Sequence, residues 1–373
     1  AESNNLETTL TLNYQFNENH SIGARYNYER VPEYLWIANQ FARTYCEDQL
    51  YEDLHGVNTM DEPETHHRTN FYYNGKVKNW SIDFNADGLW SDTKNTQVTK
   101  ENVMEGVNEA EDRSVTTIDT KKNELYATKL VLSRPFVKGN LSFGAEYSHN
   151  KRNTTYLNPE GIITNDEAMI KEGATSAFVE YAKAFNQMQV QVGLRYEHVG
   201  FDYYNAGKLV DEQSKDYSNL FPSIMLSFPI KDVQVQLGYA SDISRPSYHQ
   251  LRSNTFYVNR YMYDKGNPFL MPSITHNVTL GASYKWMNLY VGYSHVKDEI
   301  TNHTIEYSKD DPTIGLLTLL NSPAYDKLVA ALNISPTIGC WTPQLGLAVQ
   351  KQWYEGETPQ GKEWFNTPIG IVT

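Results

Sequence analysis

The sequence predicts an all-β protein, an antiparallel up-and-down transmembrane β-barrel with about fourteen strands in the chain. Three observations carry this. Segment after segment alternates apolar and polar residues with a period of two, as in Val233-Gln234-Val235-Gln236-Leu237-Gly238-Tyr239, the mark of a strand with one greasy and one wet face. The segments pair off across short turns, roughly two to seven residues, while the hairpins are separated by roughly 20 to 35 residues, the asymmetry of short periplasmic turns and long extracellular loops. The chain holds 27 Tyr, 14 Phe and 7 Trp, residues that suit strands and the aromatic girdles of a bilayer interface.

The first hairpin joins Leu6–Phe16 to Ile22–Glu29 across Asn17-Glu18-Asn19-His20. Residues 32–66 then read as an acidic, aromatic loop. Phe71–Val77 and Ser81–Trp90 flank Lys78-Asn79, and residues 93–120 read as a charged loop. Glu124–Phe136 pairs with Leu141–His149, Ser176–Phe185 with Met188–His198, and Leu220–Phe228 with Val233–Asp242. A long polar and aromatic loop, Ser244 to Pro268, leads to the hairpin 274–286/289–300, and a last one joins 325–335 to 343–354. Residues 325–335 are the weakest strand, because Leu328, Ala330, Ala331 and Leu332 also favour helix. The hairpin rhythm selects strand. Asn366 to Thr373 reads as the start of another strand, and Ala1 to Asn5 has neither the basic start nor the apolar core of a signal peptide. The expectation is a single β-barrel region over 1–373, cut from a longer protein.

Composition narrows the function. A net charge of -13 argues against nucleic acid, which wants a basic surface. No apolar run approaches the roughly 18 residues of a membrane-crossing helix, and alternating strands hide from such a test. The wet face carries Arg25, Glu29, Asp83, Asp87, Glu146, Arg195, Glu197 and Asp242. In a lipid barrel this face looks inward, since a basic residue facing mid-membrane costs about 2–4 kcal/mol. The alternative is a soluble sheet whose apolar face is its core. Cys46 and Cys340 fall at opposite ends of such a barrel, so no disulfide is expected.

Catalytic patterns are missing. Neither G-x-S-x-G nor H-E-x-x-H occurs. The Gly356–Lys362 stretch has phosphate-loop spacing, but Glu363 stands where Ser or Thr would bind magnesium. S-x-x-K starts at Ser91, Ser148 and Ser294 without its companion motifs. His66-His67 beside Asp61 and Glu64 reads as a solvated acidic loop, and Lys309-Asp310-Asp311-Pro312 as a loop tip. Neither an enzyme activity, a cofactor nor a bound metal is expected. Binding is the better expectation. The loop after Asp242 carries Tyr257, Tyr261 and Tyr263 around Arg260. Rings of this kind cover the apolar face of a ligand, and an arginine pairs with carboxylate or phosphate. With Arg195 and Glu197 on the inward face, these are the candidate substrate-binding residues. Packing of loop against loop is the competing role for the rings.

A family resemblance enters at Asn219-Leu220-Phe221-Pro222-Ser223, Ser244-Arg245-Pro246-Ser247-Tyr248-His249-Gln250-Leu251 and Gly266-Asn267-Pro268-Phe269-Leu270-Met271-Pro272. Over about residues 215–300 the sequence resembles the C-terminal barrel of TonB-dependent outer-membrane receptors, in the branch common in Bacteroidetes known as the outer-membrane protein β-barrel family. That family usually has a basic residue where Met271 stands and an acidic one where Ser273 stands. The resemblance implies an arc of a 22-stranded barrel in the bacterial outer membrane. It also implies energy-coupled uptake of a scarce nutrient (iron chelate, cobalamin, glycan or peptide). The partners implied are outer-membrane lipid, the nutrient, and an inner-membrane energy-coupling protein reached through a plug outside this chain. The motif residues themselves read as loop-shaping: Pro246 and Pro268 stop strand pairing, and Gly266-Asn267 supplies a turn tolerant of positive φ. A passive porin-like channel and a soluble or surface β-rich binding protein are the alternatives.

Overall fold

The computed structural model describes residues 2–105, 111–309, 313–358 and 361–373. Asp310, Asp311 and Pro312 of the expected loop tip, and Pro359-Gln360 of the phosphate-loop-like stretch, lie outside them. The strands, in chain order, are β1 (Glu2–Asn17), β2 (His20–Cys46), β3 (Gln49–Asp61), β4 (Glu64–Val77), β5 (Trp80–Glu105), β6 (Arg113–Phe136), β7 (Gly139–Leu157), β8 (Asp166–Phe185), β9 (Met188–Asn205), β10 (Lys208–Leu209) and β11 (Lys215–Ile230). They continue as β12 (Val233–Ser244), β13 (Thr255–Asn259), β14 (Met262–Lys265), β15 (Ser273–Tyr284), β16 (Met287–Lys297), β17 (Ile300–Glu306), β18 (Gly315–Asn321), β19 (Tyr325–Ile334), β20 (Leu345–Thr358), β21 (Gly361–Phe365) and β22 (Ile369–Val372). No helix is present among the described residues.

One antiparallel ladder runs through the chain in sequence order. It passes from β1 to β2, then to the broken strand β3/β4, through β5 to β9, and on to β11, β12, β15, β16, β19 and β20. A second broken strand, β21/β22, pairs with β20. Each of the sequence-derived strands has its counterpart, the ambiguous 325–335 among them, as β19 between β16 and β20. Among the described residues β1 pairs only with β2, and no ladder joins it to β21 or β22. The tight connections span two residues at 18–19, 78–79, 137–138, 186–187, 231–232 and 285–286. Lys78, Val137, Lys138, Asn186, Lys231 and Lys285 take positive φ there, the backbone twist that two-residue hairpins need.

Two expected loops are strands. Residues 32–66 form the upper part of β2, all of β3 and the top of β4, with Leu35 opposite Asp61 and Cys46 opposite Gln49. In the 93–120 stretch, β5 and β6 pair from Thr93/Lys121 up to Glu101/Arg113. β2 is 27 residues long and β5 is 26, where about 9–11 tilted residues cross a membrane. These strands rise far beyond the bilayer, where water wets the outer face. High charge there does not break a ladder whose neighbours supply every backbone partner.

The outer face is the apolar one. Leu10, Leu12, Phe71, Phe143, Val179, Val192, Leu194, Ile224, Leu237, Val278 and Leu347 point away from the inner wall and are exposed in the chain itself, so lipid covers them. At the long-loop end of this band stands an aromatic and histidine belt. Tyr26 bonds His67 (2.7 Å), Trp90 donates to Tyr126 (3.2 Å), Tyr196 to Ser218 (3.0 Å) and Tyr293 to Asp326 (2.7 Å), while Tyr239 bonds His276 (3.1 Å). Rings with a polar tip belong at a headgroup boundary. Cys46 sits at the tip of β2 and Cys340 in the connection after β19; both are free and exposed.

Candidate functional site

The long loops fold inward. β13 and β14 form a hairpin, β14 runs parallel to β18, and β18 pairs with β17. This small sheet packs on the inner face of the raised wall. Tyr257, Tyr263 and Leu316 join Val115 of β6, Tyr156 of β7 and Ile163 in one buried cluster. Leu251 and Leu270 join Ile170 of β8 with Phe201 and Tyr203 of β9 in another. β9 shows why. Below the belt its outward residues Val192, Leu194 and Tyr196 are apolar; above it the inward residues Val199, Phe201 and Tyr203 are apolar and buried. The greasy face changes side at His198, where lipid gives way to water outside and to the loop sheet inside.

The structure separates the six sequence-derived candidates into two groups. Tyr257, Arg260, Tyr261 and Tyr263 belong to the β13–β14 hairpin. Arg260, at its tip, is 7% exposed and is directed into the fold. Its backbone N–H donates to Glu101 Oε1 (2.9 Å), its Nε to Glu101 Oε2 (3.2 Å) and its Nη2 to the Glu111 carbonyl (3.0 Å); Nη1 lies 3.6 Å from Glu52 Oε2. Glu52 on β3 and Glu101 on β5 are both fully buried. The Tyr257 hydroxyl donates to Glu101 (2.8 Å) and accepts from Arg113 (3.4 Å). Burial, then the Glu101 charge, pushes the Tyr257 hydroxyl well above the ordinary tyrosine range. Tyr261 is pushed up to about 12 by burial and its bond to Glu52. The Arg260 guanidinium thus ties the loop sheet to the raised parts of β3 and β5. Sequence reasoning missed its carboxylate partners because Glu52 and Glu101 stand in the stretches taken for loops, where alternation was masked by charge.

Arg195 and Glu197 lie on the inner wall of β9, in a charge network. Arg195 pairs with Glu146 (2.6 Å) and Glu197 (3.3 Å), Lys129 pairs with Glu146 (2.7 Å), and Arg245 caps Glu197. Arg245 belongs to the Ser244–Leu251 motif, so that motif carries the chain from the barrel rim onto the lumen wall. Ser247 and Gln250 then close a turn through Ser247 N–H to Gln250 Oε1 (2.8 Å) and Gln250 N–H to Ser247 Oγ (3.3 Å), and Leu251 anchors it. Gly266 needs a correction. Neither it nor Asn267 has positive φ. A Cβ at 266 would meet the carbonyls of Gln250 and Arg252 at 2.6 and 2.7 Å, so glycine is required there for close approach of two loop segments. Gly266→Ala is expected to loosen the loop, read as faster amide exchange at Asn267, which donates to the Gln250 carbonyl (2.6 Å).

Lys215, on the raised part of β11, is drawn under the same loop and donates to the Leu270 carbonyl. Burial pulls its pKa from 10.5 down to about 8. The folded value lies below the unfolded one, so the unfolded chain holds the extra proton between them and stability rises with pH through about 8 to 10.5. Lys215→Met is expected to flatten that rise, read as urea midpoints at pH 7.5 and 10.

A sheet with an apolar outside, an aromatic belt and a charged inner wall under inward-folded loops defines the class: a β-barrel of the outer-membrane type. The model of the outer membrane protein beta-barrel family matches residues 73–366. The chain belongs to that family, and its place is the outer membrane. Among curated proteins none matches significantly. Among solved structures, the FpvAI–pyocin S2 complex is similar with a TM-score of 0.50 and 11% identity, over 99% of this chain and 64% of that one. The copper transporter OprC gives 0.47 and 10%, over 94% and 61%. The siderophore receptor PirA from Pseudomonas aeruginosa gives 0.46 and 12%, over 98% and 72%. At such identities the likeness is one of fold, and this chain spans about 61% of the length of OprC.

Proposed function

We propose that this barrel belongs to a non-enzymatic receptor for energy-coupled uptake of a scarce nutrient across the outer membrane. The remaining strands and a gating plug lie elsewhere in the protein, and the plug meets an inner-membrane energy-coupling partner. The observation that supports the reading is the loop sheet folded onto the inner wall, which sets ordered side chains above a charged lumen where a ligand can be held.

The test is uptake in cells. Deleting the gene is expected to slow growth on one scarce nutrient, and discharging the inner-membrane proton gradient is expected to abolish uptake by the intact strain. A large, steady conductance of the full-length protein in a planar bilayer, with uptake that persists without the gradient, would replace this reading by a passive porin. Within the site, Tyr261→Ala is expected to weaken ligand binding, while Tyr257, 2% exposed inside the loop-sheet cluster, holds the loop in place. Unchanged affinity in Tyr261→Ala would leave that ring with packing alone.

A further inference from the structure

The apolar outer face is interrupted by a trough. On β2, β4 and β5, at adjoining register positions, the outward residues are small: Ala24, Thr69, Ala86 and Gly88. Their neighbours on the same face are large. Leu10 and Leu12 of β1 wall one side and Tyr126 of β6 the other. At the short-turn end Phe71 closes the floor against Phe84, edge-on with ring centroids 6.4 Å apart. The volume is about 420 Å³. A methylene takes up about as much space as a water molecule, roughly 30 Å³, so the trough has room for a chain of about a dozen carbons.

The long-loop end of the trough is polar. Trp90 lies over Gly88, where a Cβ would stand 2.8 Å from the ring, so glycine lets the indole rest on the backbone. Its Nε1 donates to Tyr126 (3.2 Å), and Tyr26 bonds His67 (2.7 Å). The Tyr28 ring stands 5.1 Å from that of His67. Arg30, two positions beyond Tyr28 on the same face, is exposed. An apolar channel therefore runs up the wall to aromatic groups with polar tips, and from these to a cation. That is the order of parts in a phosphate-bearing lipid read from its tail to its head.

We propose that this trough is a binding site for one phosphate-bearing lipid of the outer leaflet. An acyl chain lies along Ala24, Thr69 and Ala86, between Leu10 and Tyr126. Its ester end meets Trp90 and the Tyr26–His67 pair, and its phosphate reaches Arg30. Lipid tails are as apolar as leucine, so dispersion contact on several sides, and not expulsion of water, is what holds one chain in place. The trough supplies a floor and two walls, where the ridged face around Val179, Val192 and Leu194 offers contact on one side alone. The site adds to the uptake reading without resting on it, since it needs only the outer-membrane setting.

Native mass spectrometry of the full-length protein, purified from outer membranes into detergent, tests it. A lipid whose mass includes phosphate is expected to stay bound through detergent exchange. Ala24→Leu combined with Ala86→Leu fills the floor and is expected to lower that occupancy about tenfold or more, as the contacts of several methylenes are lost. Arg30→Gln is expected to lower it about tenfold, the loss of one charge-assisted bond. Ala282→Leu, in line with Val278 on the outer face of β15, is expected to leave it unchanged. Each variant changes an outward side chain, so all are expected to fold, and heat-modified mobility on gels checks this. No lipid retained by the wild type, a retained lipid without phosphate, or equal occupancy in the wild type and the folded double variant would overturn the proposal.

Discussion

Replacing Arg260 with methionine is expected to release the loop sheet from the barrel wall. The guanidinium stands between Glu52 and Glu101, both fully buried. Removing one partner of a buried ionic cluster costs about 3–5 kcal/mol, because the buried carboxylates lose the charge that offset their desolvation. The cost falls on the loop sheet, whose small hairpin has few other ties to β3 and β5. The opening equilibrium of β13 and β14 is therefore expected to rise about a hundredfold or more, seen as faster amide exchange at Tyr257 and Tyr263. The two-residue turns and the ladder from β6 to β12 stay protected. Adding Glu52→Gln and Glu101→Gln to Arg260→Met should recover most of the loss, since an uncharged cluster leaves nothing to compensate. Exchange in β13 and β14 that does not change in the single variant would mean that apolar packing of Tyr257, Tyr263 and Leu316 holds the sheet by itself.

The second large effect is expected on the opposite face. Val192 and Gln191 are neighbours on β9, but Val192 faces outward and is 38% exposed in the chain itself, whereas Gln191 faces the lumen. Val192→Arg puts a guanidinium against hydrocarbon and is expected to cost about 2–4 kcal/mol near mid-membrane. Gln191→Arg leaves the charge in a polar interior and is expected to cost little. Urea titrations of folding into lipid vesicles compare them. Equal midpoints for the two variants would mean that the outward face is not the lipid face, and would bring back the soluble sheet.

Much of the barrel was legible in the sequence. Alternation in Val190-Gln191-Val192-Gly193-Leu194-Arg195-Tyr196 fixes both the strand and which side meets lipid, because a period of two admits one assignment of faces. The same alternation placed Arg195 and Glu197 on the inner wall, where the structure joins them to Glu146 and Arg245. The candidate hairpin around Arg260 was found by its residue types, and its surroundings were not.

Within the membrane band, local pattern and environment agree: lipid demands an apolar outside, so the sequence by itself determined the strand order, the turns and the facing of the wall. Above the band that demand ends. Water tolerates charge on the outer face, and the inner face is dry only where something folds onto it. The raised parts of β2, β3, β5 and β6 therefore look like loops until the loop sheet packs on Val115 and Arg260 reaches Glu52 and Glu101. The packing of Val115 under the loop sheet and the Glu52–Arg260–Glu101 tie join residues more than a hundred positions apart in the chain. Only the tertiary structure decided them, because no local pattern encodes which distant surface will exclude the water.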